Sequence, residues 1–177
     1  MKRYHPLLVS LHWVLALMIL VALVMGSNVL AALPNDHPDK MFSLRGHMSI
    51  GIIVGVLMIV RLVTRLRSAH PPKADTGNGF LNFAGGAAHW VLYILVFLMV
   101  ASGMGIAMGA GLPDIVFFGS GAPLPESFDH LVPRTAHGIL SKLLMLTIVA
   151  HIAGWAYHQF KLKDGLFSRM WFGNRDA

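Results

Sequence analysis

The chain has 177 residues, of which 55% are hydrophobic and 12% charged, with a mean hydropathy of +0.63. Soluble domains average about 25% charged residues, so the composition predicts an integral membrane protein with one domain spanning residues 1–177. No cysteine is present, which excludes disulfides, iron–sulfur clusters, thiolate metal ligation and any C-x-x-C-H attachment of a prosthetic group.

Four apolar runs predict transmembrane helices at about 7–29, 46–63, 87–108 and 135–157. They are too long and too evenly apolar for the alternating strands of a barrel. The predicted fold is therefore all-α, an integral membrane four-helix bundle. The first run follows Lys2 and Arg3 and precedes Ala31-Ala32. Its length and its internal His12 mark it as a retained helix and not a cleaved leader. Residues 27–44, leading to the second run, carry Asp36 and Asp39, and residues 68–86, leading to the third, are rich in Pro and Gly. Residues 109–134, leading to the fourth, carry Asp114, Glu126 and Asp129, with a Phe117-Phe118 pair suited to a membrane surface. From Lys161 the tail predicts an interfacial amphipathic helix, with Leu162, Leu166, Phe167, Met170 and Trp171 on its apolar side.

Ten of the 14 basic residues belong to three segments: Lys2 and Arg3; Arg61, Arg65, Arg67 and Lys73; and Lys161, Lys163, Arg169 and Arg175. By the positive-inside rule these segments, and both termini, face the cytoplasm, as four crossings require. The net charge of +6 is thus mostly a cytoplasmic collar. No basic–aromatic module accompanies it, so nucleic acid is not an expected partner; lipid is.

Besides His89 at the edge of the third run, four of the ten histidines lie inside the apolar runs: His12, His47, His137 and His151. An imidazole in hydrocarbon is costly and needs a partner. His137 and His151, 14 residues apart, leave one face of the fourth helix about 21 Å apart along its axis. Tracing each helix through the bilayer places His12 and His151 at the inner level and His47 and His137 at the outer level. Two facing imidazoles can clamp a haem iron axially. Zinc also accepts imidazole, but a structural zinc wants four close ligands, and no carboxylate lies at these depths. Gly51 and Gly55 follow His47 at four-residue steps, Ala16 follows His12 and Ser141 follows His137. These small residues leave room for a flat ring, although Gly51-x-x-x-Gly55 is also an ordinary helix-packing motif.

His89 and His158 sit at the inner edge. For His158 the expected role is proton exchange with a quinone beside the inner haem, with Trp13 and Ser10 nearby and His89 a further candidate. Trp13, Trp90 and Trp155 read first as an interfacial aromatic belt. His5, His37, His70 and His130 carry no expected role. Lys142 lies about 140° from the His137 face and either snorkels or joins Arg45 and Arg134 in neutralising haem propionates or drawing an anion to the outer haem.

Together, several features span nearly the whole chain: Leu11-His12-Trp13, His47 followed by Arg61 and Arg65, His89, His137, His151, His158, and Lys163-Asp164 with Leu166, Arg169 and Met170. On these the chain resembles the prokaryotic cytochrome b-561 family, di-haem membrane proteins related to the b subunits of nickel–iron hydrogenase and formate dehydrogenase. The resemblance implies the same pairing, His12 with His151 and His47 with His137, on two haem b groups in the bacterial inner membrane. It also implies electron flow between a periplasmic donor and a membrane quinone. Family members of the superoxide-oxidising type pass an electron from superoxide through both haems to ubiquinone. Two other readings use the same histidines: a haem b carrier or anchor subunit for a dehydrogenase or hydrogenase, and a non-redox, proton-coupled transporter.

Overall fold

The computed structural model describes residues 3–173, so Lys2 and Arg175 of the predicted collar lie outside the described residues. Helix α1 (Pro6–Val24) continues as a π-helical turn, Met25–Leu30. Helices α2 (Lys40–Arg67) and α3 (Gly79–Gly109) follow, then a short α4 (Leu112–Val116). Helix α5 (Val132–Ala156) continues as a second π-helical turn, Tyr157–Leu162, before the short α6 (Leu166–Arg169). Four of these helices are long and apolar enough to cross a membrane, and no strand occurs among the described residues.

The helix starts follow local chemistry. Pro6 opens α1, where its missing N–H costs nothing, and His5 Nδ1 accepts from the Leu7 N–H at 3.2 Å. Asn78 Oδ1 accepts from the Phe80 and Leu81 N–H groups to cap α3. The helices overrun the predicted spans at their polar ends. Hydropathy detects the hydrocarbon slab, whereas Lys40 and the Asn78-Gly79 start lie beyond it and remain helical.

Packing divides the bundle into two antiparallel hairpins, α1 with α2 and α3 with α5, joined through α2 and α3. The backbones of α1 and α2 stand off from α5. One core cluster (Leu11, Leu15, Val54, Met58, Tyr93, Val96, Leu144 and neighbours) holds the hairpins together, and a smaller one (Leu44, Leu112, Val116) seats α4 against α2. Leu17, Ile59, Leu66 and Leu146 are more than half exposed and form the lipid-facing surface expected of spanning helices. The described ends of the chain meet at one end of the bundle, as an even number of crossings demands: the Tyr4 N–H donates to the Arg169 carbonyl at 3.1 Å.

Two local devices escape any hydropathy reading. Lys40, 6% exposed, donates its ammonium to the Leu30 and Leu33 carbonyls at 2.7 and 2.6 Å. The Leu30 carbonyl ends the π-helical turn, where helical oxygens lack intrahelical donors, and that of Leu33 lies in the connection just after it, so a charge at the head of α2 seals the exit from its neighbour. The tail is the second device. It does not form the one amphipathic helix expected from Lys161. Lys163 and Gly165 adopt left-handed conformations (φ 53° and 70°), and Asp164 Oδ1 accepts from the Leu166 N–H, so the chain reverses. The reversed segment clasps α1: Trp13 Nε1 donates to the Met170 carbonyl at 2.9 Å, and the Arg169 guanidinium donates to the Pro72 carbonyl at 2.6 Å.

Lys40→Met keeps the apolar stem but leaves two carbonyls without their donor. We expect a loss of about 2 kcal/mol, read as a lower thermal midpoint by circular dichroism in detergent; an unchanged midpoint contradicts the sealing role. The clasp depends on pH. Burial pushes the Asp164 carboxyl up, but hydrogen bonds from His158 and the Leu166 N–H and the charges of His158 and Arg169 outweigh it, so it titrates below its ordinary value of 3.8. A depressed carboxyl stabilises the fold above its unfolded value and loses that contribution as pH falls through the folded one. The tail is therefore held at neutral pH and released only in acid below the ordinary carboxylate range. Asp164→Asn mimics that release at pH 7, and tryptic cleavage after Lys163 accelerates about fivefold; equal cleavage rates refute the clasp.

Candidate functional site

The gap between the α1–α2 hairpin and α5 is bridged by imidazoles. His12 on α1 faces His151 on α5 with ring centroids 6.3 Å apart, and His47 on α2 faces His137 on α5 at 6.2 Å. The two couples occupy different heights, since His137 and His151 are four helical turns apart on α5.

The spacing tests what such a couple could hold. A metal–imidazole bond of about 2.0 Å and about 1.1 Å from ligating nitrogen to ring centre, both doubled, put two trans imidazoles about 6.2 Å apart, centroid to centroid. Both couples meet that value. Among the described residues no group of three or more His, Asp or Glu side chains is placed to hold a bare metal ion. A pair of axial donors suits a metal that brings its own equatorial ring. The interplanar angles, 73° and 78°, do not oppose this, because each ring is free to turn about its metal–nitrogen axis.

Hydrogen bonding fixes one imidazole for ligation. Ser102 Oγ donates to the Met99 carbonyl at 3.0 Å and lies 2.9 Å from His137 Nδ1. The hydroxyl proton is committed to the carbonyl, so His137 Nδ1–H donates to Ser102 and Nε2 keeps its lone pair. His47 Nδ1 is buried without a hydrogen-bond partner among the described residues. Two glycines cradle these outer rings. A Cβ on Gly26 would lie 3.4 Å from His47 Cε1, and one on Gly103 would lie 3.4 Å from His137 Cε1. The bare stripe on α2 divides into two roles: a Cβ on Gly51 would meet nothing within 4 Å, whereas one on Gly55 would press on Val100 at 3.1 Å. Gly51 leaves space beside the outer couple; Gly55 is a helix-packing glycine.

At the inner level His89 joins the cluster, its ring 5.2 Å from that of His151. That is too short for trans ligation of one metal. Its Nδ1 lies 2.7 Å from the Gly85 carbonyl and must donate to it, so His89 packs edge-on against a candidate ligand. Arg61 also reaches this level. It donates to the Leu8 carbonyl at 2.7 Å, one turn from His12, and stands 5.9 Å from the Tyr93 ring centre, one turn from His89. Arg65 lies over Trp90 at 5.6 Å. Sequence reading treated both arginines as collar charges and did not identify Ser102, Gly26 or Gly103, which are small residues without chemistry until their neighbours are known.

Other candidates are placed less closely. His158 Nδ1 lies 2.6 Å from Asp164 Oδ2. Trp13 packs on His12 at 5.1 Å and on Phe167 and Trp171, and Phe167 in turn packs on Trp155. Ser10 is half-buried and makes no side-chain hydrogen bond among the described residues. At the outer end Arg45 is tied through Nε to the Val116 carbonyl at 2.9 Å, Arg134 stands within electrostatic reach of His137, and Lys142 is exposed on α5. Phe118 is 79% exposed.

Comparison with known proteins identifies the family. The family model described as prokaryotic cytochrome b561 matches residues 3–173. The chain is 26% identical over 174 residues to a probable superoxide oxidase, CybB, of Yersinia pestis, covering 96% of each. It is 26% identical over 170 residues to cytochrome b562 of Cereibacter sphaeroides, covering 94% of each. It is also 26% identical over 173 residues to cytochrome b561 homolog 2 of Escherichia coli K12, covering 96% of this chain and 91% of the relative. The chain belongs to the prokaryotic cytochrome b561 family of multi-pass bacterial membrane proteins, which bind haem b and transfer electrons.

Proposed function

We propose that this protein is a di-haem oxidoreductase of the inner membrane that takes electrons from superoxide on the periplasmic side and delivers them to ubiquinone near the cytoplasmic side. The observation that carries this reading is the pair of imidazole couples, 6.2 and 6.3 Å across, at two heights on one helix. His47 and His137 hold the outer haem, and His12 and His151 hold the inner one. Haem b, when bound, supplies reversible one-electron transfer.

The residues around the couples do the rest. Superoxide loses one electron and leaves as dioxygen, so the donor side needs only attraction and an exposed approach. Arg45, Arg134 and Lys142 supply positive charge there, and the same cations suit haem propionates. Ubiquinone takes up two electrons and two protons, so the acceptor side needs a proton donor. His158 fits that role: Asp164 holds its Nδ1–H, which leaves Nε2 to exchange a proton with the quinone. Trp13, Ser10 and His89 are the further residues assigned to the quinone. The resemblance to a relative named as a probable superoxide oxidase favours superoxide over other one-electron donors.

His151→Ala removes one ligand of the inner couple and should lower the haem-to-protein ratio from about two to about one, whereas His70→Ala, at the exposed His70, leaves it unchanged. Full haem content in His151→Ala refutes the assignment. Stopped-flow mixing of oxidised protein with superoxide should reduce the haem rapidly, and more slowly as ionic strength rises. Absence of haem reduction removes superoxide as the donor.

A further inference from the structure

At the inner end, between the start of α1 and the end of α2, lies a cavity of about 520 Å³ lined by His5, Val63, Thr64, Arg67, Ser68 and Ala69. It is separate from both imidazole couples. Its donors are poised for a ligand. Ser68 Oγ is buried and has no hydrogen-bond partner. His5 Nδ1 accepts the Leu7 N–H, so the ring proton sits on Nε2 as a donor. Arg67 makes no hydrogen bond or ion pair among the described residues. The neighbouring arginines, by contrast, are engaged. Arg61 is bonded to the Leu8 carbonyl, Arg169 to that of Pro72 and Arg3 to that of Phe172, and Arg65 covers Trp90.

The lining is amphipathic as well as basic. Val63, 41% exposed, and Ala69 form an apolar wall beside Thr64, Ser68 and Arg67. Among the described residues no carboxylate lines the cavity. The described acids of the inner side are committed elsewhere, Asp75 to Asn82 and Gly77 and Asp164 to His158. A small soluble anion would use the donors but not the wall. A phospholipid uses both, with its phosphate on the donors and its glycerol and upper acyl chain on Val63.

We propose that this cavity binds the headgroup of an anionic phospholipid at the cytoplasmic interface. Arg67 provides the charge, Ser68 Oγ and His5 Nε2 provide hydrogen bonds to phosphate oxygens, and Val63 contacts the hydrocarbon. The site concerns lipid and stands independently of the electron donor and acceptor.

Native mass spectrometry of the haem-loaded protein, with phosphatidylglycerol, phosphatidylcholine or inorganic phosphate added, tests the site. Phosphatidylglycerol should be retained in preference to phosphatidylcholine, and excess inorganic phosphate should not displace it. Arg67→Gln should weaken phosphatidylglycerol binding about fivefold and Ser68→Ala about threefold, while Lys73→Gln, a charge of the same collar outside the cavity, changes nothing. Equal retention of the two lipids overturns the proposal. So does equal weakening by Arg67→Gln and Lys73→Gln, which marks a diffuse collar. Displacement by inorganic phosphate overturns it in favour of a free-anion site. If Arg67→Gln is not recovered folded, Ser68→Ala decides alone, and unchanged binding there overturns the proposal.

Discussion

The structure is organised by a separation between helix backbones. α5 lies against α3 but its backbone stands off the α1–α2 hairpin; Leu144 joins the shared apolar core between the two imidazole levels, and at each of those levels one imidazole from each side reaches across. Inside a bilayer there is no hydrophobic force to draw helices together, so close approach depends on small residues and polar contacts. Here small residues serve both ends. Gly55 brings α2 onto Val100 of α3, while the edges of the outer rings approach Gly26 and Gly103, where a Cβ would lie 3.4 Å from each Cε1. The gap is thus a product of tight packing elsewhere.

The same economy extends to the polar atoms. His137 Nδ1–H donates a hydrogen bond to Ser102 Oγ, and the Ser102 hydroxyl donates in turn to the Met99 carbonyl, which fixes the ring by a chain of neutral groups. On the inner side an arginine replaces the hydroxyl. Arg61 spans from Leu8 on α1 to Tyr93 on α3, beside both His12 and His89. The outer level is therefore held by a dipole chain and the inner level by a fixed charge. That asymmetry suits a protein proposed to move electrons in one direction.

Much of this was legible in the sequence because two periodicities are strong there. Runs of about 20 apolar residues specify the spans, and the interval between His137 and His151 is almost four turns, which alone puts both rings on one face. The depth argument then pairs them with His12 and His47 without any knowledge of packing. What stayed hidden has no periodic signature. Ser102, Gly26 and Gly103 become meaningful only through neighbours on other helices. Lys40 has no sequence signature, because its partners, the Leu30 and Leu33 carbonyls, belong to the backbone. The tail was misjudged as one helix because its apolar spacing is helical, while the left-handed conformations at Lys163 and Gly165 interrupt it.

Placing His137 and His151 together on α5 also constrains biogenesis. A chain is made and inserted from its amino terminus, and α5 is the last spanning helix. His12 and His47 are in the membrane long before either meets its counterpart, so neither imidazole couple can exist on a partly inserted chain. Both levels are completed by one event, the insertion of α5.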